Sequence, residues 1–219
     1  LRNLSQDWIN DLLALEHEDE NYYRVYALGE PGILQNLIYS RYRITDFRIP
    51  VPDAIGIDFG YNNPTAVVGI KQFSDRLQVW EILYRSHMTN ADLIDWLKAH
   101  RDVWNLRADI PIYADSAEPN RIEELRRAGY SARPADKSVK DGIDYCKAQT
   151  IEIHSSAVNL IREIRTYKYR EDRSGMVYDE PVKFNDHALD SLRYVAYSHF
   201  GQRRAVSIPR EWLSFGGAR

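Results

Sequence analysis

Four polar residues have the types and the placement expected of a divalent-metal site. Asp58 ends the apolar run AIGID, and Asp115 ends the apolar run IPIYA. Nearer the C-terminus, His187 and Asp190 are three residues apart within NDHALDSLRYVAYSHF. A carboxylate at the end of a buried strand loses solvation, which costs free energy unless a positive group compensates. For Asp58 alone, a metal ion, a phosphate-bound cation and a plain turn all remain open explanations.

The elements that carry the two aspartates are predicted to be strands of one sheet. The runs 54–60, 65–73 and 77–86 predict a three-stranded meander, and alternating helices and strands follow it. This order indicates a mixed α/β sheet. If the strands that end at Asp58 and Asp115 are parallel neighbours, both carboxylates lie beyond the carboxyl ends of strands, where open α/β sheets bind their ligands.

The rest of the chain predicts short elements around this sheet. Ser5 is a plausible cap for a helix over 5–18 with Trp8, Leu12 and Leu15 on one face. Thr89 is predicted to cap a helix to about residue 104, with Asp92 in the first turn. We expect other strands at 22–29, 110–115, 130–135 and 151–154, other helices at 118–129, 138–149, 156–167 and 185–200, and a hairpin at 167–182 that turns near residues 173–175.

The last of these helices adds two ligands to the two strand-end aspartates. At about 100° per residue, His187 and Asp190 share a face that is separate from the apolar stripe. If this helix crosses the carboxyl edge of the sheet, three carboxylates converge, and each gains a proton or a cation. Sites made of oxygen ligands favour Mg²⁺ or Mn²⁺. Two such ions about 4 Å apart can promote hydrolysis of a phosphodiester.

The bulk composition narrows the classes of protein. The chain has 219 residues, a net charge of −3 and one cysteine, Cys146. A disulfide framework is therefore impossible, and we expect a reducing, intracellular setting. We expect no membrane span and no signal peptide. The net charge argues against a general polyanion binder, although basic residues are concentrated in the second half. Because the chain begins with Leu1 instead of Met, we expect it to be part of a longer protein.

Several segments together resemble the C-terminal nuclease domain of phage large terminase subunits. They are IGIDFGYNNPTAVVGI, IYADSAEPNRIEELRRAGY, KSVKDGIDYCKAQ and NDHALDSLRYVAY, in the expected order between residues 53 and 200. The resemblance implies an RNase H-like α/β fold, with a central mixed five-stranded sheet flanked by helices and an added β-hairpin. It also implies a metal-dependent endonuclease that cuts concatemeric viral DNA during genome packaging with little sequence preference.

Carried over to this chain, the resemblance names ligands, cofactors and products. Mg²⁺ or Mn²⁺, as two ions, would be bound by Asp58, Asp115 and Asp190, with His187 as a further ligand or proton carrier. Cleavage would leave 5′-phosphate and 3′-hydroxyl ends. Two departures matter: Asn63 stands where the family often has an aspartate, and Asp186 competes with Asp190 as a ligand. We favour Asp190 because it shares the face of His187.

The resemblance also implies a domain organisation and partners. Residues 1–50 would connect to an N-terminal ATPase domain of the full-length chain, and residues 51–219 would be the nuclease domain. No phosphate-binding G-x-x-x-x-G-K-[ST] motif occurs, so we expect no ATP hydrolysis. The implied partners are double-stranded DNA, that ATPase domain, the small terminase subunit and the procapsid portal, with no membrane, in the cytoplasm of the infected host.

Basic residues near the predicted site are candidates for DNA phosphate contacts. Lysines at a helix N-terminus suit a phosphate, and phosphate contacts position DNA without reading its sequence. The candidates are Lys137, Lys140, Arg133, Lys168 and Arg170.

Three alternatives remain open. A junction resolvase of the RuvC type or an RNase H would use the same metal-carboxylate chemistry on another substrate. An actin-like ATPase shares the D-F-G-x-x-N-x-T pattern of residues 58–65, although 219 residues are few for its duplicated fold. A non-catalytic module that docks on the portal is the third.

Overall fold

The computed structural model describes residues 6–29, 35–172 and 174–201. In these ranges the helices are α1 (Gln6–Glu18), α2 (Glu20–Tyr26), α3 (Asn90–Ala99), α4 (Pro119–Arg127), α5 (Val139–Lys147), α6 (Val158–Ile164) and α7 (His187–Ala196). The strands are β1 (Tyr42–Thr45), β2 (Ala54–Asp58), β3 (Thr65–Gln72), β4 (Leu77–Arg85), β5 (Pro111–Ala114), β6 (Ser131–Pro134), β7 (Ile151–His154), β8 (Tyr169–Glu171) and β9 (Val177–Pro181).

The centre of the sheet is the predicted meander with β5 beside it. Strand β2 is buried along its whole length, pairs antiparallel with β3 and pairs parallel with β5. Ile57 is the register partner of Ala114, so Asp58 and Asp115 follow at the same edge. The predicted strand-end position of both aspartates is therefore confirmed.

The sheet is wider than the resemblance implies. Among the described residues its order is β1-β7-β4-β3-β2-β5-β6, which makes seven strands instead of the five that the resemblance implies; the sequence pattern itself predicts all of them except β1. The added strand at the far edge, β1, lies in the segment before residue 51 and pairs parallel with β7. Tyr42, Ile44 and Thr45 are residue types that favour a strand, but a run of four residues is too short to stand out in the sequence, and pairing with β7 stabilises it. The α/β class, the mixed sheet and the separate β8–β9 hairpin are as predicted.

Two helical layers cover the sheet. Ile55 and Ile57 point to the layer that contains α3 and α4, whereas Ala54 and Ala66 point to the layer that contains α5, α6 and α7. Thr89 begins α3 with the predicted capping box, in which Asp92 reciprocates. Helix α7 lies directly on β2 at Gly56, where a Cβ atom would be 2.0 Å from the backbone oxygen of Ser191.

The segment 22–29 is predicted to be a strand, but its residues up to Tyr26 belong to helix α2 (Glu20–Tyr26). Its tyrosines favour a strand locally, but Asp19 caps the helix by accepting a hydrogen bond from Tyr22 N at 2.9 Å. Tyr22 packs in a small third core with Val182 and Phe184, beside the hairpin. Tertiary packing therefore overrides the local preference.

Some predictions fall outside the described parts. The cap Ser5, the side chain of Trp8 and the turn residue Arg173 are among them. No helix in the described ranges has the length and apolar composition needed to cross a membrane.

Candidate active site

An open pocket of about 560 Å³ lies at the edge of the sheet where β2 and β5 end. The first turn of α7 and the loop that follows β9 form its other wall. All four predicted ligands line this pocket. Its polar lining residues include Asp58, Asn63, Asp115, Lys137, Lys183, Asp186, His187, Asp190, Arg193 and Tyr194.

Asp58 and His187 form a close pair in the pocket. Asp58 Oδ2 lies 3.0 Å from His187 Nδ1, and the aspartate is only 8% exposed. Burial raises the pKa of Asp58 to about 6, against the lowering effect of this hydrogen bond. Burial alone would lower the pKa of His187, but the hydrogen bond and charge of Asp58 and other nearby carboxyl groups raise it to about 9. At neutral pH the two groups therefore form an ion pair.

Asp115 is held at the end of β5 by its surroundings. Its Oδ1 atom accepts a hydrogen bond from the backbone amide of Ala117 at 2.8 Å and lies 2.7 Å from Lys137 Nζ. The ammonium group of Lys137 is therefore inside the pocket, at a strand-end carboxylate. This contact places a predicted DNA-contact residue beside a predicted metal ligand.

Asp190 is fixed by its own helix. Its Oδ1 atom accepts a hydrogen bond from Arg193 Nη2 at 2.8 Å, and its Oδ2 atom lies 3.5 Å from the Tyr194 hydroxyl. Arg193 is nearly buried and also donates to the backbone oxygen of Lys137 at 3.2 Å. Its side chain passes over Gly142 of α5, where a Cβ atom would be 2.4 Å from Arg193 Cγ.

Asp186 precedes α7 and lines the same pocket. Burial raises its pKa to about 7, with a further contribution from the charge of Asp190. The structure thus brings Asp186 and Asp190 to one site. The preference for Asp190 as a metal ligand remains a prediction.

Within the described part of the chain, no three His, Cys, Asp or Glu side chains are arranged to hold a metal ion as they stand. The carboxylates contact cations of the protein instead: His187 for Asp58, Lys137 for Asp115 and Arg193 for Asp190. The donor set nevertheless fits a hard divalent ion, because its members are carboxylates of one pocket. The charges of Asp190 and Asp115 also disfavour ionisation of Asp58, a repulsion that a cation would offset.

Comparison with known proteins identifies similar sequences. No protein family model matches it. It is 22% identical over 207 residues to the PBSX phage terminase large subunit of Bacillus subtilis (strain 168), across 87% of this chain and 47% of that protein. It is 30% identical over 154 residues to the terminase large subunit of Escherichia phage T5, across 66% of this chain and 34% of that protein. The chain is similar in sequence to phage large terminase subunits. It spans about half or less of the length of these relatives.

Solved structures show what fold this chain shares with large terminases. The g2p (large terminase) nuclease domain of bacteriophage SPP1, with bound Mn, superimposes with a TM-score of 0.60 at 22% identity, covering 73% of this chain and 96% of that one. The large terminase of a thermophilic bacteriophage, in complex with ADP, gives 0.62 at 20% identity, covering 90% of this chain and 53% of that one. The predicted RNase H-like fold of the terminase nuclease domain is therefore confirmed.

The five basic residues predicted to contact DNA lie in different surroundings in the structure. Lys137 is in the pocket, and Arg133 is exposed on β6. Lys140 pairs with Asp179 of the hairpin. The guanidinium of Arg170 lies 4.0 Å from the centre of the Tyr178 ring.

For Lys168, the structure corrects the prediction of a DNA contact. Its side chain is fully buried and its Nζ atom lies 2.9 Å from Asp19 Oδ2. This position is incompatible with a contact to DNA. A lysine is usually exposed, and the sequence alone does not show that Asp19, far away along the chain, neutralises it.

Two charged residues of the pocket are absent from the predicted site. Arg193 lies on α7 three residues after Asp190, and this i,i+3 spacing predicts an ion pair between them. Lys183 lies in the loop between β9 and α7, where no periodic pattern indicates which way its side chain points.

Proposed function

We propose that this chain is a divalent-metal-dependent DNA endonuclease that cuts concatemeric viral DNA during genome packaging, with little sequence preference. The observation that carries the proposal is the meeting of Asp58, Asp115, His187 and Asp190 in one pocket of a terminase nuclease fold. The alternatives on the same fold differ in substrate, so they enter the experiment below as separate arms.

The residues that would hold the metal are Asp58, Asp115 and Asp190, with His187 beside Asp58. The SPP1 nuclease domain, which has bound Mn, supports a divalent ion; Mg²⁺ or Mn²⁺ and a pair of ions are the finer proposal. When bound, such ions supply Lewis-acid stabilisation of the charge that builds up on a phosphate during hydrolysis.

The chain's own cations would receive the substrate. Lys137 lies in the pocket, and Lys183 is exposed on its rim, so both can contact phosphate oxygens. Arg193 is held by Asp190 and by the backbone of Lys137, so its role is to orient that carboxylate. The contact between His187 Nδ1 and Asp58 Oδ2 would orient that carboxylate, and the neighbouring carboxyl groups raise the pKa of His187. We propose 5′-phosphate and 3′-hydroxyl ends as products.

The remaining partners follow from the relatives. Both curated relatives are large subunits that are longer than this chain, which supports an N-terminal ATPase domain in the full-length protein. The small terminase subunit and the procapsid portal are further proposed partners. The proposed location is the cytoplasm of the infected host cell.

The test is cleavage of supercoiled plasmid by the purified chain with Mn²⁺, with Mg²⁺ or with EDTA. We expect nicking and linearisation with either metal and none in EDTA. Asp58→Asn should abolish cleavage, whereas the matched control Asp53→Asn should cut normally, because Asp53 precedes the same strand and pairs with Lys71 away from the pocket. Cutting in EDTA, or by Asp58→Asn, would refute the proposal.

Substrate arms separate the alternatives. Branched DNA and an RNA–DNA hybrid are assayed beside the plasmid. A strong preference for branched DNA would indicate a resolvase, and a strong preference for the hybrid would indicate an RNase H. Comparable cutting of plain duplex supports the packaging role.

A further inference from the structure

A buried glutamate outside the pocket joins three elements of the fold. Glu163, in the last turn of α6, has no exposed surface. Its Oε1 atom accepts a hydrogen bond from the Tyr84 hydroxyl of β4 at 2.8 Å. Its Oε2 atom accepts one from the backbone amide of Leu189 in α7 at 3.0 Å. One carboxyl group therefore links β4, α6 and α7.

The amide of Leu189 belongs to the first turn of α7. The first amides of a helix lack partners inside the helix and need an acceptor from outside. Asp186, at the N-cap of α7, makes no capping hydrogen bond with its side chain. Glu163 supplies the acceptor from another helix instead, at the residue between His187 and Asp190 along the chain. The capped turn is the turn that carries both candidate ligands.

Helix α6 is itself anchored at its other end by the same strand. Glu81 of β4 accepts hydrogen bonds from the backbone amides of Asn159 and Leu160, each at 3.0 Å. Tyr84 lies further along β4. The strand therefore holds the start of α6 through Glu81 and its end through the Tyr84–Glu163 hydrogen bond.

A carboxyl group at the buried position 163 is energetically unfavourable in itself. Burying it costs free energy that only its hydrogen bonds offset, and an apolar residue of similar size would pack in the same layer without that cost. What an apolar residue cannot supply is a directed acceptor for Leu189.

We propose that Glu163 is a positioning residue for the active site: by accepting from Leu189 N, it fixes the first turn of α7, with His187 and Asp190, relative to the sheet that carries Asp58. The proposal rests on the proposed function, because it concerns the same candidate ligands. Glu163 acts through Leu189.

The experiment compares Glu163→Leu, Glu163→Gln and Tyr84→Phe with a matched control, Glu152→Leu. Glu152 is also a nearly buried carboxylate that accepts hydrogen bonds, but it is on β7, and the donors Gln78 and Arg76 belong to β4 and the turn before it. The measurements are Mn²⁺ affinity by calorimetry, amide hydrogen exchange of Leu189, the ¹H–¹⁵N shifts of the His187 ring, and thermal unfolding.

We expect Glu163→Leu to weaken Mn²⁺ binding by up to about 10-fold, less than the roughly 10- to 100-fold loss that follows removal of a ligand's own hydrogen-bond partner, because Glu163 acts through Leu189. The amide of Leu189 should exchange faster and the His187 ring signals should move. Glu163→Gln keeps an acceptor oxygen and should recover most of the Mn²⁺ affinity. Tyr84→Phe should give a smaller loss of the same kind. Glu152→Leu should lower the melting temperature without changing the Mn²⁺ affinity or the His187 signals.

Two results would overturn the proposal. One is unchanged Leu189 exchange and unchanged His187 signals in folded Glu163→Leu or, should that variant not fold, in Tyr84→Phe. The other is an equal change of these signals in Glu152→Leu. Failure of the proposed function is a separate result, since it would appear as no plasmid cleavage by the unaltered chain, while the NMR measurements need neither metal nor DNA.

Discussion

Lys168 Nζ lies 2.9 Å from Asp19 Oδ2, and both side chains are at most 1% exposed. The ion pair joins the turn between α1 and α2 to the residue that precedes the β8–β9 hairpin. Asp19 also accepts a hydrogen bond from Tyr22 N, so the same carboxylate caps α2. The N-terminal helix pair is thus tied to the hairpin that leads to Lys183 and the pocket.

Breaking this pair from one side should be costly. We expect Lys168→Met to lower the free energy of unfolding by about 3–5 kcal/mol, because Asp19 would remain buried without a cation. The double variant Lys168→Met with Asp19→Asn should lose clearly less than the sum of the two single changes. Urea denaturation measures all three. Additive losses would show that the two groups do not interact.

Metal binding should stabilise the fold through the predicted ligands. Because a ligand that binds only the folded state stabilises it, Mn²⁺ at about 100 times its dissociation constant should add about 2.7 kcal/mol per site. Thermal unfolding with Mn²⁺ and with EDTA should therefore differ for the unaltered chain and for Asp53→Asn. Asp58→Asn and Asp115→Asn should show little or no such shift. An equal shift in all four proteins would place the ion elsewhere.

The hairpin should loosen in acid because of Asp172. Hydrogen bonds from Ser174, Tyr178 and Met176 lower the pKa of Asp172 to about 2. The folded pKa lies below the ordinary value of about 3.9. Ionised Asp172 therefore stabilises the hairpin fully above about pH 4, and this stabilisation is lost as the pH falls through about 2. An NMR titration of the Asp172 carboxyl measures the midpoint directly, and the same aspartate in a short unfolded peptide of this segment is the reference. Coincident midpoints would contradict the prediction.

Lys137 should matter for DNA more than other lysines do. We expect Lys137→Ala to weaken DNA binding and to reduce the slope of log affinity against log salt by about 1, as loss of one phosphate contact does. Lys98→Ala is the matched control, because Lys98 is exposed on α3, in the helical layer on the other face of the sheet. Fluorescence anisotropy at several salt concentrations gives both slopes. Equal effects of the two changes would argue for a non-specific surface charge.

The sequence predicts the site better than it predicts the periphery. The runs AIGID and IPIYA identify β2 and β5 because buried strands need continuous apolar residues, and the strand-end position of Asp58 and Asp115 follows from them. Thr89 and Asp92 identify the start of α3 because a capping box is a local signal.

The features that the sequence does not reveal depend on distant partners. Strand β1 needs β7 beside it, and α2 needs Val182 and Phe184 to pack against. The burial of Lys168 depends on Asp19. None of these contacts has a periodic signature, because periodicity reports which face of an element is buried and does not report which element covers it.

The contact of Gly56 with Ser191 limits which substitutions this domain can accept during evolution. Strand β2 and helix α7 touch there through main-chain atoms, so the span between the acid on the strand and the acids on the helix is set by backbone dimensions. A single methyl group at position 56 would force the strand and the helix apart. It would damage the site although all the polar residues of the site would still be present.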